Sequence, residues 1–345
     1  MTEKNPTIRG FIKGIIPRGK PRMKNALCAY SPAASRGVVN PLLPSLARER
    51  KRRYFFSPLT RLAIKRLTVV GPLFIELADF YRTQKHALRK YLFYLRHRQK
   101  LKPNAELKNK FLGKRCFILA CGPSIKTQDL KKLEGEFCIS VSNFFVHPDF
   151  KIIKPEYHVF SESHAPITKE QMKAWLEDAE RHLPEGQKVM MSVHDRSLSQ
   201  EFKLLKKQRI YFYVFSQSQI SAESPIEYTK QIPLIQTVAH QAIYLALYSG
   251  AKEIYLVGCD HDWILHYGEN RHFYAENESE LTRTGLNQWG TDLGTEFESY
   301  VRLWNIYKEI KRYATVREVL VMNATRGGLL DVFPRKNLDE VLNKK

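Results

Sequence analysis

The sequence predicts an α/β fold: a Rossmann-like, mostly parallel sheet with helices on both faces, a lid-like insertion and a basic N-terminal helical extension. Three observations predict it. Short apolar runs alternate with helix-like segments after residue 113, tight polar turns follow these runs, and basic residues concentrate before residue 116. Apolar strands that alternate with helices are typical of a parallel sheet that is covered on both sides.

The strand candidates are apolar runs bounded by Gly, Pro or polar residues, and the helix candidates lie between them. Strands are expected at 116–120, 137–142, 157–160, 188–193, 210–215, 253–258 and 318–322. Helices are expected at 126–134, 169–182, 198–207, 237–249 and 296–312. Ligands of such a sheet bind beyond the carboxyl ends of its strands. The residues that follow each strand are therefore the candidates for a functional site.

The turn after the first apolar run is the clearest local signal. Residues 116–120 are apolar, and Cys121-Gly122-Pro123-Ser124 follows at once. Gly permits a close backbone turn, Pro suits the first turn of a helix, and Ser can cap free N–H groups. Such N–H groups at a helix N-terminus bind phosphate well. The turn is thus either an anion cradle or an ordinary strand-to-helix connection.

Charge divides the chain into unequal parts. Residues 1–115 contain 28 Lys and Arg against 5 Asp and Glu, whereas residues 116–345 contain 28 against 30. We therefore predict a disordered basic tail at 1–55, a basic amphipathic helical arm at 56–112, and an α/β nucleotide-binding catalytic domain at 113–345.

The predicted arm suggests a partner. Apolar clusters rich in Leu, Phe and Tyr alternate with Lys and Arg through residues 59–100. Basic amphipathic helices of this composition lie on membrane surfaces, so we interpret the segment as binding an anionic membrane surface. The alternatives are a helical hairpin packed on the body and, least favoured, nucleic-acid binding.

Cysteine usage and hydropathy predict the location. Five scattered Cys include no CxxC pair, which favours a reduced, cytoplasmic protein without structural zinc. No apolar run reaches the length needed to span a bilayer. We expect a protein that is peripheral on the inner face of the cell membrane.

The segment from residue 260 to about 298 is rich in His, Trp and Tyr and lacks apolar periodicity. A long polar-aromatic insertion after a strand is typical of a functional loop. We predict a lid over the site at about 261–295, with an ordinary surface loop as the alternative.

Several motifs together resemble a known family. They are Ala120–Ile125, Ser142–Phe145, Gln236-Thr237, Gly250–Asp260 and Asn323–Asp331. Over about residues 113–335 the series resembles the MptE-like diphosphokinase family and is similar to bacterial family-42 sialyltransferases, which use CMP-activated nine-carbon sugars.

The resemblance implies a nucleotide site. Gly122-Pro123-Ser124 would lie against the nucleotide phosphate, Asn143 near the phosphate or ribose, and Gln236-Thr237 against cytosine. Cys121 and Glu162 stand where the sialyltransferases have Asn. The implied nucleotide-binding residues are Cys121, Gly122, Pro123, Ser124, Asn143, Ser161, Glu162, Gln236 and Thr237.

The catalytic histidine of the sialyltransferases would fall near residues 294–296, where this chain has none. The general base is therefore His261, His266 or Glu296, since His titrates near neutrality and a carboxylate can also accept a proton. Asp260 would orient His261 or bind a metal.

The function we predict is a membrane-associated glycosyltransferase of bacterial polysaccharide biosynthesis. It would transfer an acidic sugar from a CMP-activated, sialic-acid-like donor to a surface-glycan or lipid-linked acceptor, and no cofactor is assigned to this reaction. One alternative is an MptE-like diphosphokinase that moves diphosphate from ATP to a small hydroxymethyl substrate. It would need Mg²⁺ on Asp260, Asp262 and Glu162, with Lys126 or Arg271 on the phosphates. The other alternative is a non-catalytic nucleotide-binding module. Neither a P-loop nor a dinucleotide motif occurs.

Overall fold

A computed structural model describes residues 70–164, 167–266, 271–274 and 292–343. The chain divides into two compact units, Met1–Leu77 and Ala78–Lys345. The predicted tail at 1–55, the first part of the predicted arm and most of the predicted lid fall outside the described residues. Among the described residues, no helix is long and apolar enough to cross a bilayer.

Within the described residues, seven strands form one sheet in which every neighbouring pair is parallel. The strands are β1 (Arg115–Leu119), β2 (Phe137–Val141), β3 (Tyr157–Val159), β4 (Lys188–Ser192), β5 (Arg209–Tyr213), β6 (Glu253–Val257) and β7 (Leu320–Asn323). Their order across the sheet is β5-β4-β3-β2-β1-β6-β7. Each coincides with a predicted strand to within two residues at either end. The predicted parallel sheet is confirmed.

The strand order reverses beside β1. From β1 the chain adds strands outward as far as β5 and then returns to place β6 on the other side of β1. Leu119 at the end of β1 pairs with Ser140 of β2 and with Val257 of β6. In open α/β sheets, ligands bind in the crevice beyond the carboxyl ends of the strands at this switch point.

Helices surround the sheet. The α-helices are α1 (Val70–His97), α2 (Phe150–Ile153), α3 (Lys169–His182), α4 (Arg196–Glu201), α5 (Val238–Tyr248), α6 (Leu293–Val316) and α7 (Leu338–Leu342). The predicted helices at 169–182, 237–249 and 296–312 correspond to α3, α5 and α6. Helix α3 starts at a capping box between Thr168 and Gln171, which satisfies N–H groups at its first turn.

Two predicted helices are wrong. The segment 126–134 forms two short 3₁₀ turns, Pro123–Thr127 and Leu130–Leu133, because Gln128 and Asp129 between them are extended. The predicted helix at 198–207 ends at Glu201.

The early end of that second helix has a packing reason. Lys203 and Leu205 adopt left-handed backbone conformations, with φ of 57° at both positions. This turn places Leu205 in the core, where it is 1% exposed. Burial of the leucine therefore decides the conformation against local helix propensity.

The core lies on both faces of the sheet. Along β1, Cys116 and Ile118 pack on the side of α5 and α6, whereas Phe117 and Leu119 pack on the side of α3. This alternation follows from the two-residue period of a strand. The predicted arrangement with helices on both faces is confirmed.

Residues 98–112 pack against this body. The 3₁₀ segment Arg98–Leu107 buries Leu101 and Leu107 completely. Asn104 is also buried, and its Nδ2 donates to the Phe212 and Tyr228 carbonyl oxygens at 2.7 Å each. These contacts lie inside the unit Ala78–Lys345.

Candidate active site at the switch point

The loops that follow β1 and β6 run side by side at the switch point. The Ala120 N–H donates to the Val257 carbonyl oxygen at 2.9 Å, and the Gly122 N–H donates to the Gly258 carbonyl oxygen at the same distance. The pairing of the two strands thus continues into their loops. It brings the turn at Gly122 into contact with Asp260. From the sequence, the turn was expected to bind nucleotide and Asp260 to orient His261 or bind a metal.

Asp260 forms the centre of this contact. The Ser124 N–H donates to Asp260 Oδ1 at 3.1 Å, and Ser124 Oγ donates to Oδ2 at 2.7 Å. Asp260 is 5% exposed. The two donors that the sequence analysis assigned to a phosphate are therefore engaged by a carboxylate of the same chain.

Burial raises the pKa of the Asp260 carboxyl, while the hydrogen bonds from Ser124 and the charge of Arg271 oppose the rise.

Glycine is required beside Asp260 on two sides. A Cβ added to Gly122 would stand 1.9 Å from Asp260 Oδ2, and one added to Gly328 would stand 2.5 Å from the Asp260 carbonyl oxygen. Gly328 also has a φ of +73°, which other residues adopt at a cost. The Leu329 N–H donates to the Asp260 carbonyl oxygen at 2.8 Å. Both the main chain and the side chain of Asp260 are thus fixed.

The turn itself differs from the predicted helix start. Gly122 precedes the 3₁₀ turn that begins at Pro123, and no α-helix follows directly. Cys121 is nearly buried, and its Sγ lies 3.4 Å from the Val141 carbonyl oxygen. Its own carbonyl oxygen accepts from the Phe273 N–H at 3.0 Å. The described part of the predicted lid therefore contacts the turn.

His261 follows Asp260 and is held by aromatic residues. Its Nε2 lies 2.7 Å from Tyr307 Oη, and its ring packs edge-on against Trp263. The backbone of His261 is left-handed, with a φ of 47°. Burial lowers the pKa of His261 to about 4, so the imidazole is neutral at physiological pH.

Helix α6 presents one face to this segment. Glu296, Tyr300, Trp304 and Tyr307 recur at three- and four-residue spacing and so share a face. Tyr300 Oη donates to the His261 carbonyl oxygen at 3.1 Å and accepts from the Ile264 N–H at 2.9 Å.

Glu296, one turn before Tyr300, is 3% exposed. Its Oε1 has no hydrogen-bond partner among the described residues. An unpaired buried carboxylate oxygen is costly and calls for a ligand.

Gln236 and Thr237 lie beside the same helix. Gln236 Nε2 donates to Ser299 Oγ at 3.2 Å, and the Gln236 N–H donates to His240 Nδ1 at 3.3 Å. The His240 ring meets the edge of Tyr307 at 4.1 Å between centroids. Thr237 directly precedes α5. The structure therefore brings the predicted pair 236–237 together with His261 and Glu296 around α6.

Asp262, His266 and Arg271 lie close together after β6. Arg271 Nη2 donates to Asp262 Oδ2 at 2.9 Å. His266 Nε2 lies 4.0 Å from the same oxygen. Arg271 Nε is buried and has no hydrogen-bond partner among the described residues. Within the described ranges, Arg271 therefore has one donor that its ion pair with Asp262 does not engage.

The remaining predicted residues follow β2 and β3. Asn143 is buried, and its Oδ1 accepts from Trp175 Nε1 on α3. Ser161 is half-buried, and Glu162 Oε2 next to it accepts from Ser192 Oγ at 2.6 Å. Asn143 therefore contacts α3, and Glu162 contacts the end of β4.

Asp195 follows a predicted strand and is therefore among the strand-end candidates, although no role was assigned to it. It is 1% exposed and accepts hydrogen bonds from the N–H and Oγ of Ser163. Burial raises the pKa of the Asp195 carboxyl. The sequence analysis missed His240 and Tyr307. Both sit at core positions of helices, where sequence gives no signal that distinguishes them from packing residues.

The carboxylates assigned to Mg²⁺ do not converge. Both carboxylate oxygens of Asp260 accept hydrogen bonds from Ser124, and Asp262 Oδ2 accepts one from Arg271. Glu162 Oε2 accepts one from Ser192, at the end of β4. Among the described residues, no group of three or more His, Cys, Asp or Glu side chains is arranged to hold a metal.

The parallel sheet with helices on both faces defines a protein of the α/β class. The family profile of 6-hydroxymethylpterin diphosphokinase MptE-like proteins matches residues 91–264. The profile covers half of the chain, and the chain therefore belongs to the MptE-like family. The family resemblance read from the sequence is confirmed. No curated protein matches the sequence.

Solved structures of a sialyltransferase are similar. CstII from Campylobacter jejuni in complex with the substrate analogue CMP-3FNeuAc shares 15% identity, with a TM-score of 0.39 over 67% of this chain and 89% of that chain. The same enzyme with cytidine-5'-monophosphate shares 13% identity, with a TM-score of 0.32 over 64% of this chain and 84% of that chain.

Proposed function

We propose that the protein is a transferase that moves an acidic sugar from a CMP-activated, sialic-acid-like donor to a surface-glycan or lipid-linked acceptor. One observation supports the proposal: a buried carboxylate oxygen of Glu296, which no other described residue pairs with, lies on the same face of α6 as Tyr300 and Trp304. Half-buried aromatic rings with a few placed polar groups are typical of small-ligand sites.

The chemistry places Glu296 as the general base. The acceptor hydroxyl donates its hydrogen bond to Glu296 Oε1 and loses its proton to it. The acceptor oxygen then forms the new glycosidic bond as the bond between the sugar carbon and the CMP phosphate oxygen breaks. CMP leaves with that oxygen. A positioned base of this kind contributes about 10²–10⁴-fold to the rate.

The other residues of the crevice position the donor. Arg271 stabilises the negative charge that develops on the leaving phosphate, through an Nε–H that is not engaged by any other described residue. Asp260 holds the loops after β1 and β6 together through Ser124. Because its Nε2 is engaged with Tyr307 and its pKa is about 4, His261 acts as a fixed neutral group.

A second candidate has its own observation in favour. Arg271 lies beside the loop after β6, where it donates to Asp262, and guanidinium groups bind phosphates well. The family name also refers to a diphosphokinase. In this reaction the hydroxyl of a small hydroxymethyl substrate would take diphosphate from ATP, and AMP would leave.

The leaving nucleotide separates the two candidates. The full chain should release CMP from CMP-sialic acid in the presence of a glycan acceptor and should leave ATP intact. Formation of AMP from ATP with a hydroxymethylpterin, with no CMP released, would establish the second candidate instead. Stabilisation by nucleotides on heating, with neither product formed, would show a binding module, because a ligand that binds the native state raises its melting temperature.

A further inference from the structure

The exposed face of helix α1 carries an apolar stripe. Large apolar side chains recur along it at three-, four- and seven-residue spacing and so share one side of the helix. They are Phe80, Tyr81, Leu88, Tyr91, Leu92 and Leu95, and all except Leu95 are more than half exposed. Such a continuous stripe on a helix marks an interaction site, since single exposed apolar residues need no partner but a contiguous patch does.

The stripe points away from the body of the protein. Helix α1 packs on the body through Phe93 and Tyr94, which contact the cluster of Leu101, Val193 and Val214. Phe93 also stacks on His194 with 4.2 Å between ring centroids. At about 100° per residue, Phe93 lies roughly 140° around the helix from Leu88. Helix α1 therefore has one side packed against the body and another, exposed side that carries the apolar stripe.

Cations flank the stripe. Lys85, Arg89 and Arg96 are exposed and recur at four- and seven-residue spacing along one edge of it. Residues 78–97 contain five Lys and Arg against a single Asp. A helix with an apolar face, an adjoining basic edge and this charge balance fits the boundary between acyl chains and anionic headgroups.

A basic groove lies beside the C-terminal end of α1, where Lys100 contributes to its lining. It has a volume of about 680 Å³, and its floor includes Leu204 and Phe212. Its cations are Lys100, Arg196, Lys203 and Lys206. Burial lowers the pKa of His97 at the end of α1, and Lys100 and Arg196 lower it further, which places these cations around the end of the helix.

We propose that the apolar stripe of α1, with its basic edge and the adjoining groove, docks on an anionic phospholipid bilayer. The excess of Lys and Arg over Asp in residues 78–97 favours an anionic partner over a second copy of the same basic helix. The proposal does not depend on the donor or on the reaction at the switch point. It would place the enzyme on the surface where lipid-linked acceptors are found.

Co-sedimentation with vesicles tests the docking surface. The full chain should bind phosphatidylcholine vesicles that contain phosphatidylglycerol and should bind pure phosphatidylcholine weakly. Leu88→Glu together with Leu92→Glu should reduce binding at least tenfold, since it removes two of the six apolar side chains and adds two like charges. Leu112→Glu is the control, because Leu112 is 72% exposed but lies outside α1.

A second pair of variants tests the charge. Lys85→Gln with Arg89→Gln should weaken binding by about tenfold or more at low salt, because each cation near an anionic surface is worth about fivefold. This loss should shrink as salt is added. Lys308→Gln, an exposed lysine of α6, should leave binding unchanged.

Four results would overturn the proposal. The first is vesicle binding that the leucine variants leave unchanged. The second is a dimer in lipid-free solution that these variants dissociate, which would show that another copy covers the stripe. The third is a melting temperature that these variants lower by several degrees, which would show that the chain itself covers the stripe. The fourth is binding to RNA or DNA that the same variants abolish.

Discussion

Gly122→Ala is a sharp test of the contact between the loops after β1 and β6. An added Cβ would stand 1.9 Å from Asp260 Oδ2 and 2.5 Å from the Gly258 carbonyl oxygen, whereas real Cβ atoms essentially never approach within 3.0 Å. Either Asp260 leaves Ser124 or the two loops separate. Overpacking costs about 1–3 kcal/mol, and losing hydrogen bonds to a charged group adds about 1.5–3 kcal/mol.

We therefore expect Gly122→Ala to lower the free energy of unfolding by about 3–5 kcal/mol, measured by urea denaturation followed by circular dichroism. Gly186→Ala is the matched control. Gly186 has a φ of +79° and open space around it, so its Cβ meets nothing. That substitution should cost only the energy of holding alanine in a left-handed backbone conformation, about 1–2 kcal/mol. Equal losses in the two variants would refute the close approach of Asp260 to Gly122.

Two further predictions concern acid stability and the packing of the segment before β1. The pKa of His261 falls from an ordinary 6.5 to about 4 on folding, so stability is full above pH 6.5 and declines as the pH falls towards 4. In His261→Asn, the free energy of unfolding should fall by about 2–3 kcal/mol less over this pH range, measured by urea titrations at several pH values. The same pH dependence in the variant and the unaltered protein would contradict the burial of the imidazole. Asn104→Ala removes both hydrogen bonds to the Phe212 and Tyr228 carbonyl oxygens. It should cost about 2–4 kcal/mol of unfolding free energy, whereas the exposed Gln99→Ala should cost little; equal effects would argue against this packing.

The sheet could be predicted from the sequence because its strands are short apolar runs with polar ends. Cys116–Ala120 is apolar throughout, and Ile254–Val257 is apolar after Glu253; both runs end at a glycine-containing turn. Helix α3 was predictable for a similar reason, since its apolar positions and its capping box agree. Where tertiary packing decides the backbone, as at Leu205, periodicity gave the wrong answer.

The site was less predictable than the fold. The rule that ligands bind beyond strand ends selected Gly122, Ser124 and Asp260, and the structure brings these three into contact. The sequence could not show that Asp260 takes the Ser124 donors, because that depends on how closely two loops approach. Nor could it separate Tyr307 from the core residues around it. Hydrogen bonds between elements distant in sequence leave no local pattern.

The role of Glu296 is the central claim of the proposed function, and CMP release from CMP-sialic acid tests it most directly. We predict that Glu296→Gln lowers kcat for CMP release by about 10²-fold or more while CMP still raises the melting temperature of the variant. Glu298→Gln is the control on the same helix, since Glu298 is exposed and paired with Arg302; it should retain full activity. CMP release by Glu296→Gln at the rate of the unaltered protein would contradict the account.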